Sequence, residues 1–556
     1  MKRTCSAADF DGNCGGERIQ RAVDAADDES GRAVVTVGPD GPDGGGTWLL
    51  EQAVELPSHT TLSLRGAHLR LAEGANDNLL RNRHLEDGDE EIHVIGDGEA
   101  RIDGTPEAQD RDWDALYRNY GVHLFNVDSL SVRGVSIGPT NSFALTLEDV
   151  RDARVESVEF AQDGQTGNQD GLHVLGPAER VTVNGITGAT GDDAVAVDST
   201  ESDVLGRGSD GPISSVAVTN VAVHNVHSTG LFRTIADREA PLENVYAGNL
   251  AMTGGTDEGD AALKIGFADI GVETMPRPAD HRNVTVENVY LESWDAPYCA
   301  VQAPIRNLTL RGLRGRHSGP FFYTLENDLD GVLIDDCKTT LVGNPPDTLI
   351  NDFHERLIEG TQQDRELRGR PLERPPGIIT LDNAHCTDVT VADSRFATEI
   401  PDRVGTVGCR VYEGTTVDGL ALRDTTFRDV GRGLHVEAGA TVRNVVASGV
   451  RQPGVGEPWS FDAPLLVHGE GNVPPCPLSE RELTLSGGER RRITISDVPL
   501  SVRERISIRA VPLEPAGREH GYRVDSVGTV DEGMRIVVEE TADDAGGEVR
   551  ILLDAA

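Results

Sequence analysis

The sequence predicts an all-β protein whose body is a parallel β-solenoid, and three observations predict it. A short phrase, apolar-x-apolar-x-small-apolar, recurs along the chain. Its copies follow one another at about the length of one solenoid coil. The composition suits many short strands joined by tight turns: 63 of 556 residues are Gly, and aromatic residues make up only 4%.

Clear copies of the phrase begin at Leu130, Val181, Val216, Val245, Val284, Leu308 and Val332, and weaker copies span 153–158, 389–394 and 420–425. The second apolar residues fall at 132, 155, 183, 218, 247, 286, 310 and 334, so the gaps are 23, 28, 35, 29, 39, 24 and 24. A short alternating strand, a corner at Asn or Gly and a return after some two dozen residues describe one coil stacked on the next. An antiparallel sandwich also spaces its strands regularly. The small residue at a fixed offset favours the solenoid. Gaps of 35 and 39 read as coils carrying loop insertions, and such loops shape clefts.

The elements follow in order. Ile19, Ala22, Val23 and Ala26 have helical spacing, so 16–30 is expected to be a helix within an N-terminal cap, 1–44. The solenoid is expected over 45–472. The segment 344–377 breaks the repeat between Pro345-Pro346 and Pro375-Pro376 and reads as an inserted loop. After Pro474-Pro475-Cys476-Pro477 the phrase disappears. The longer alternating runs of 478–556 predict a small β-sandwich-like domain.

The charge bounds the function. Lys plus Arg total 51 and Asp plus Glu 93, a net charge of −42, which argues against coating nucleic acid or binding an anionic membrane. No apolar run approaches the 18 residues or so of a membrane span. Only Lys2, Lys264 and Lys338 are lysines. Abundant acid with almost no Lys reads as adaptation to multimolar salt, as in a salt-accumulating archaeon; a merely acidic, Arg-rich protein is the alternative. Seven scattered cysteines without a Cys-x-x-Cys predict neither a disulfide framework nor a zinc site. The first residues lack an apolar leader, so a cytoplasmic location is the default expectation.

The chemistry concentrates in Gly167-Asn168-Gln169-Asp170-Gly171-Leu172-His173 and Gly191-Asp192-Asp193. Asp170 and Asp192 are 22 residues apart, about one coil, so Asp170, Asp192 and Asp193 should converge on one face. Neighbouring carboxylates repel, which raises one pKa and leaves an acid beside a base. That is the pair glycosidic hydrolysis needs. Asp-Asp alone carries little weight, because Asp27-Asp28, Asp335-Asp336 and Asp543-Asp544 also occur. A solvated acidic surface or a calcium site are the competing readings.

These motifs resemble glycoside hydrolase family 28, the polygalacturonases, among the pectin-lyase-like right-handed parallel β-helices. Asn168-Gln169-Asp170 resembles the family's Asn-Thr-Asp, and Gly191-Asp192-Asp193 its Gly-Asp-Asp. Arg101-Ile102-Asp103-Gly104 and Asn141-Ser142 resemble its lead-in coils, and Lys264 its Lys. The likeness spans roughly 45–330. It implies an inverting hydrolase with Asp192 as general acid, Asp170 and Asp193 activating water, and Lys264 binding a substrate carboxylate or hydroxyl. It requires no cofactor and no metal. The family His-Gly falls on Thr229-Gly230 and the family Arg on Ala262, so both side chains are missing. His224, His227 or Arg233 are candidate replacements. Asn141, Asn168, His173 and Arg233 are further candidates for substrate binding, and Trp113, Tyr117 and Trp294 for sugar stacking. The expected partner is a polysaccharide or oligosaccharide. A polysaccharide lyase and a non-catalytic glycan-binding β-helix are the alternatives.

Overall fold

A computed structural model describes residues 3–27, 31–42, 44–110, 120–199, 211–227, 230–236, 240–254, 261–266, 281–294, 297–301, 303–325, 327–343, 377–400, 406–463, 467–468, 471–473, 481–485, 490–495, 506–512, 522–530, 533–540 and 547–555. They form two compact units, one reaching to Ser318 and one beginning at Gly319.

The first unit is a stack of parallel coils, wound right-handed as in the relatives described below. The phrase residues stack in single file. Val94, Val132, Val155, Val183, Val218, Ala247, Val286 and Leu310 are successive register partners. All eight are fully buried. Burying each valine or leucine contributes about 1.5–3 kcal/mol, so the repeat in the sequence is the core of the coil. The small residue that follows turns the corner. Ser157, Gly185, Asn220, Asn249 and Asn288 take φ of 52° to 82°, the left-handed region that Gly and Asn tolerate best. A second left-handed corner lies five residues earlier in each coil, at Asp152, Arg180, Ser215, Asn244 and Asn283. Corner asparagines also bond along the stack: Asn283 Nδ2 donates to Asn244 Oδ1 at 2.9 Å, and Asn307 Nδ2 to Asn283 Oδ1 at 2.9 Å.

The helix expected over 16–30 runs over Gly15–Ala26. Asn13 N donates to Glu17 Oε2 at 2.7 Å and Glu17 N donates to Cys14 Sγ at 3.4 Å, which caps its start. Asp27, at ψ 90°, has left helical geometry. Ile19, Ala22 and Val23 are fully buried. Strand Arg3–Ser6 pairs in parallel with Ala33–Val37, and that strand with Thr60–Leu64. The ladder therefore starts inside the segment expected to be cap, because the alternating β-branched run Ala33–Val37 suits a stacked strand.

The second unit repeats the pattern with its own file, Ile334, Val391, Leu422 and Ala447. Its strands Gly377–Asp382, Val407–Val411, Arg432–Val436 and Glu457–Phe461 pair in parallel. Beyond residue 480 the pairing becomes antiparallel. Arg481–Leu485, Gly547–Ala555 and Ile506–Pro512 make one three-stranded sheet; Arg490–Ile495, Gly533–Glu540 and Tyr522–Val530 make another. Residues 344–376 of the inserted loop lie outside the described residues, as do 200–210 and 267–280 of the long coils.

Candidate active site

Four short strands of the first unit build the site. Leu172–Thr190 pairs with Val195–Asp198, that with Phe232–Ile235, and that with Leu263–Ile265, all in parallel. In this register His173, Ala196, Arg233 and Lys264 form one file, about 4.8 Å per step. All four lie in a buried layer. Ala196 is small, which lets the side chains on either side of it meet across two coils. Arg233 Nη2 lies 3.4 Å from His173 Nε2.

Asp170 and Asp193 precede two of these strands and lie on adjacent coils, because Gly171 N donates to Asp193 O at 2.9 Å. Asp192 N in turn donates to Gln169 O at 3.2 Å. The three expected aspartates therefore do converge. Two glycines make room. At Gly171 a Cβ would stand 2.5 Å from Ala194 O, and at Gly230 1.9 Å from Asp193 Oδ1. The glycine of the Thr229-Gly230 motif is thus demanded by the carboxylate beside it. Thr229 itself lies outside the described residues.

The buried charges interlock. Lys264 Nζ pairs with Asp193 Oδ1 at 2.8 Å, and Arg233 Nε with Asp193 Oδ2 at 3.2 Å. Arg233 Nη2 also donates to Asp198 Oδ2 at 2.7 Å. His173 Nε2 meets the same oxygen at 2.6 Å, while its Nδ1 faces Asp170 Oδ2 at 3.3 Å. The Phe143 ring packs on the imidazole, centroids 4.1 Å apart. His173, Asp193 and Asp198 are fully buried; Asp170, Lys264 and Arg233 nearly so. Asp192 is the half-buried member, open towards solvent.

This arrangement separates the carboxylates chemically. Burial pushes Asp192 well above the ordinary carboxylate range, and the charges of Asp170 and Asp193 push the same way; Lys264 and Arg233 oppose them. Asp170 is also raised, again by burial, with the His173 contact and the Arg233 charge drawing it back. The cluster thus sets a partly exposed carboxyl whose proton is held more tightly than usual beside a carboxylate, Asp193, that is paired with two cations.

Other candidates stand elsewhere. Asn141 is buried and its Nδ2 donates to Asp110 O at 3.3 Å. Asn168 is exposed, at φ 56°, on the loop leading to Asp170. His224 Nδ1 meets Thr253 Oγ1 at 3.1 Å, and His227 Nε2 meets Gly164 O at 2.5 Å; of the candidate replacements it is Arg233 that joins the cluster. Trp113 and Tyr117 lie outside the described residues, as does the Trp294 side chain. Sequence reasoning missed Asp198 and Asn225. Asn225 Nδ2 donates to Asp192 O at 2.8 Å and Gly230 O at 3.0 Å, pinning the acidic turn. The signal for Asp198 was a lone charge ending the apolar run Val195-Ala196-Val197, one coil after His173 in Leu172-His173-Val174.

Residues 93–230 match the family model described as Glycosyl hydrolases family 28. Among curated proteins none matches the sequence. Among solved structures the chain is similar to tailspike protein mutants of E. coli bacteriophage HK620. One, in complex with hexasaccharide, is 11% identical with a TM-score of 0.55, covering 99% of this chain and 93% of that one. Another, in complex with pentasaccharide, is 12% identical with a TM-score of 0.53 and the same coverage. A hyperthermoactive exopolygalacturonase from Thermotoga maritima aligns at 13% identity and a TM-score of 0.41 over 81% of this chain and 92% of that one. The family match falls on the coils that carry Asp170, Asp192 and Asp193, and by it the protein is a glycosidase on a right-handed parallel β-helix.

Proposed function

We propose that the protein hydrolyses a glycan chain by the inverting route, with Asp192 as general acid and Asp170 and Asp193 activating water. The observation that carries this is the half-buried Asp192, whose carboxyl is raised well above the ordinary range by burial and by the charges of Asp170 on the adjacent coil and Asp193 beside it. Protonated Asp192 donates to the glycosidic oxygen as the bond breaks. The water attacks from the opposite side, its proton drawn towards an ionised carboxylate. Lys264 and Arg233 keep Asp193 ionised at the moment it is needed. The HK620 tailspike complexes with oligosaccharides support a glycan as the class of substrate. The family likeness supports a uronate-bearing chain, with the Lys position as its carboxylate contact; here Lys264 is buried against Asp193, so it would meet such a carboxylate only with that pair opened.

The experiment is a panel of neutral and uronate-containing polysaccharides in high and low salt, with reducing ends counted and product anomers followed by NMR. Wild type should release reducing ends of inverted configuration. Asp192→Asn, which keeps the shape and removes the proton, should lower turnover by about 10²–10⁴. Lys264→Ala should raise KM on uronate substrates more than on neutral ones. Asp192→Asn turning over at the wild-type rate would overturn the acid assignment, and an unsaturated uronate in the product would replace hydrolysis with elimination.

A further inference from the structure

Beside Arg233, the buried layer beneath the aspartates holds His173 and Asp198, neither of which has a step in the hydrolysis above. We propose that His173 is a positioning residue carried as an imidazolium between Asp170 and Asp198, keeping Asp170 ionised as a base and leaving the proton of the site on Asp192. This rests on the hydrolytic reading of the same site and adds who sets its proton count.

The geometry supplies the argument. A neutral imidazole has one N–H and one lone pair. Here both ring nitrogens face carboxylate oxygens, Nδ1 towards Asp170 at 3.3 Å and Nε2 towards Asp198 at 2.6 Å. Arg233 Nη2 stands 2.7 Å from that same Asp198 oxygen and 3.4 Å from Nε2. At 2.6 Å from a carboxylate oxygen a bare Nε2 would set lone pair against lone pair, so Nε2 carries a proton and shares Asp198 Oδ2 as acceptor with the Arg233 guanidinium. If Nδ1 were bare, its lone pair would point at Asp170 unless Asp170 held the proton, and Asp170 would then be no base. At 3.3 Å the contact is an ion-pair distance without hydrogen-bond geometry, so the link to Asp170 is one of charge with charge, which weakens only slowly with distance.

The groups around the ring are accounted for element by element. Asp170 comes from the turn before its own strand, Asp198 from the next coil, and Arg233 from the coil after. Thr146 is its register partner on the preceding coil, and Phe143 covers the ring face. Among the described residues the connected cluster holds Asp170, Asp192, Asp193 and Asp198 against Arg233, Lys264 and His173. With an imidazolium, one neutral carboxyl balances the set; with a neutral ring, two are required. Asp170 faces the His173 ring and Asp193 is paired with Lys264 and Arg233, whereas Asp192 Oδ1 accepts from the neutral Asp193 N–H, so Asp192 is the one that keeps the proton. Thr229 and Ala262 carry no charge where the family places His and Arg. The imidazole and guanidinium arrive instead from positions 173 and 233, in the file of Lys264.

Two measurements test this on the full chain. With ¹⁵N-histidine labelling, the His173 ring, assigned by its loss in His173→Gln, should show both nitrogens protonated at pH 7. A neutral tautomer in wild type overturns the proposal. In Asp198→Asn, which keeps the histidine and the shape, the ring should deprotonate at lower pH than in wild type; an unchanged titration counts against it. On a glycan that wild type cleaves, His173→Gln should move the acidic limb of the kcat profile upward by about 1–3 pH units, the effect of one lost opposite charge, with KM little changed. A histidine that merely fills the core would lower stability and leave that limb in place, overturning the proposal. If wild type cleaves no glycan while the ring is an imidazolium, the hydrolytic reading fails and the charge assignment stands.

Discussion

Each unit buries a charge cluster on its short strands, and the two are balanced differently. In the second unit Arg410 pairs with Glu437. Its Nε donates to Glu437 Oε1 at 3.0 Å and its guanidinium lies 4.2 Å over the Tyr412 ring. Burial pushes the Glu437 carboxyl up, but the hydrogen bonds and charge of Arg410 outweigh it and leave Glu437 below its ordinary value. In the first unit carboxylates outnumber fixed cations, and Asp192 and Asp170 sit above theirs. A complete pair holds coils together. A surplus carboxylate stores a proton at a cost in stability, and that proton is what chemistry can use.

The comparison breaks most visibly in stability. Glu437→Gln removes the carboxylate charge facing the buried Arg410 guanidinium and should cost about 3–5 kcal/mol, read as a lower urea midpoint, with glycan turnover retained. An unchanged midpoint would mean that the pair is idle. Asp192→Asn should do the reverse: turnover collapses while stability rises by about 1 kcal/mol, within the range found when a strained functional group is relieved. A loss of stability in that variant would show that the surplus acid is not strained.

pH sharpens the same contrast, because the two shifts have opposite signs. Asp192 binds its proton more tightly in the folded state. Its contribution is therefore favourable at low pH and is lost as pH rises from about 3.8 through the folded value. The stability gain of Asp192→Asn should be absent near pH 4 and grow towards pH 8. Glu437 releases its proton more readily when folded. Its contribution is present above 4.5 and lost as pH falls through the folded value. The deficit of Glu437→Gln should thus be full at pH 7 and fade in acid. Urea melts across pH for the three proteins check both slopes.

The coil core was legible because one row of identical job repeats every coil: Val155, Val183 and Val218 are partners at the spacing the sequence displays. The corner five residues earlier was not, because Arg180, Ser215 and Asp152 share a backbone conformation without sharing a chemistry. At the site, Asp170, Asp192 and Asp193 were legible through glycines and one-coil spacing. The layer under them was not. That Asp198 and Arg233 meet depends on Ala196 leaving a gap between coils, and a missing side chain carries no signature in a single sequence.

Helix Gly15–Ala26 also bears on what this molecule does among its copies. A stack of parallel coils has an end, and an uncovered end is a template on which another chain can lengthen the ladder. The helix buries Ile19, Ala22 and Val23 against the first coils, and the edge strand Arg3–Ser6 opens with a charged, exposed Arg3. Together they act as a stopper. Melting of this one element, with every other coil intact, would bare a ladder edge on which another chain could add strands end-on.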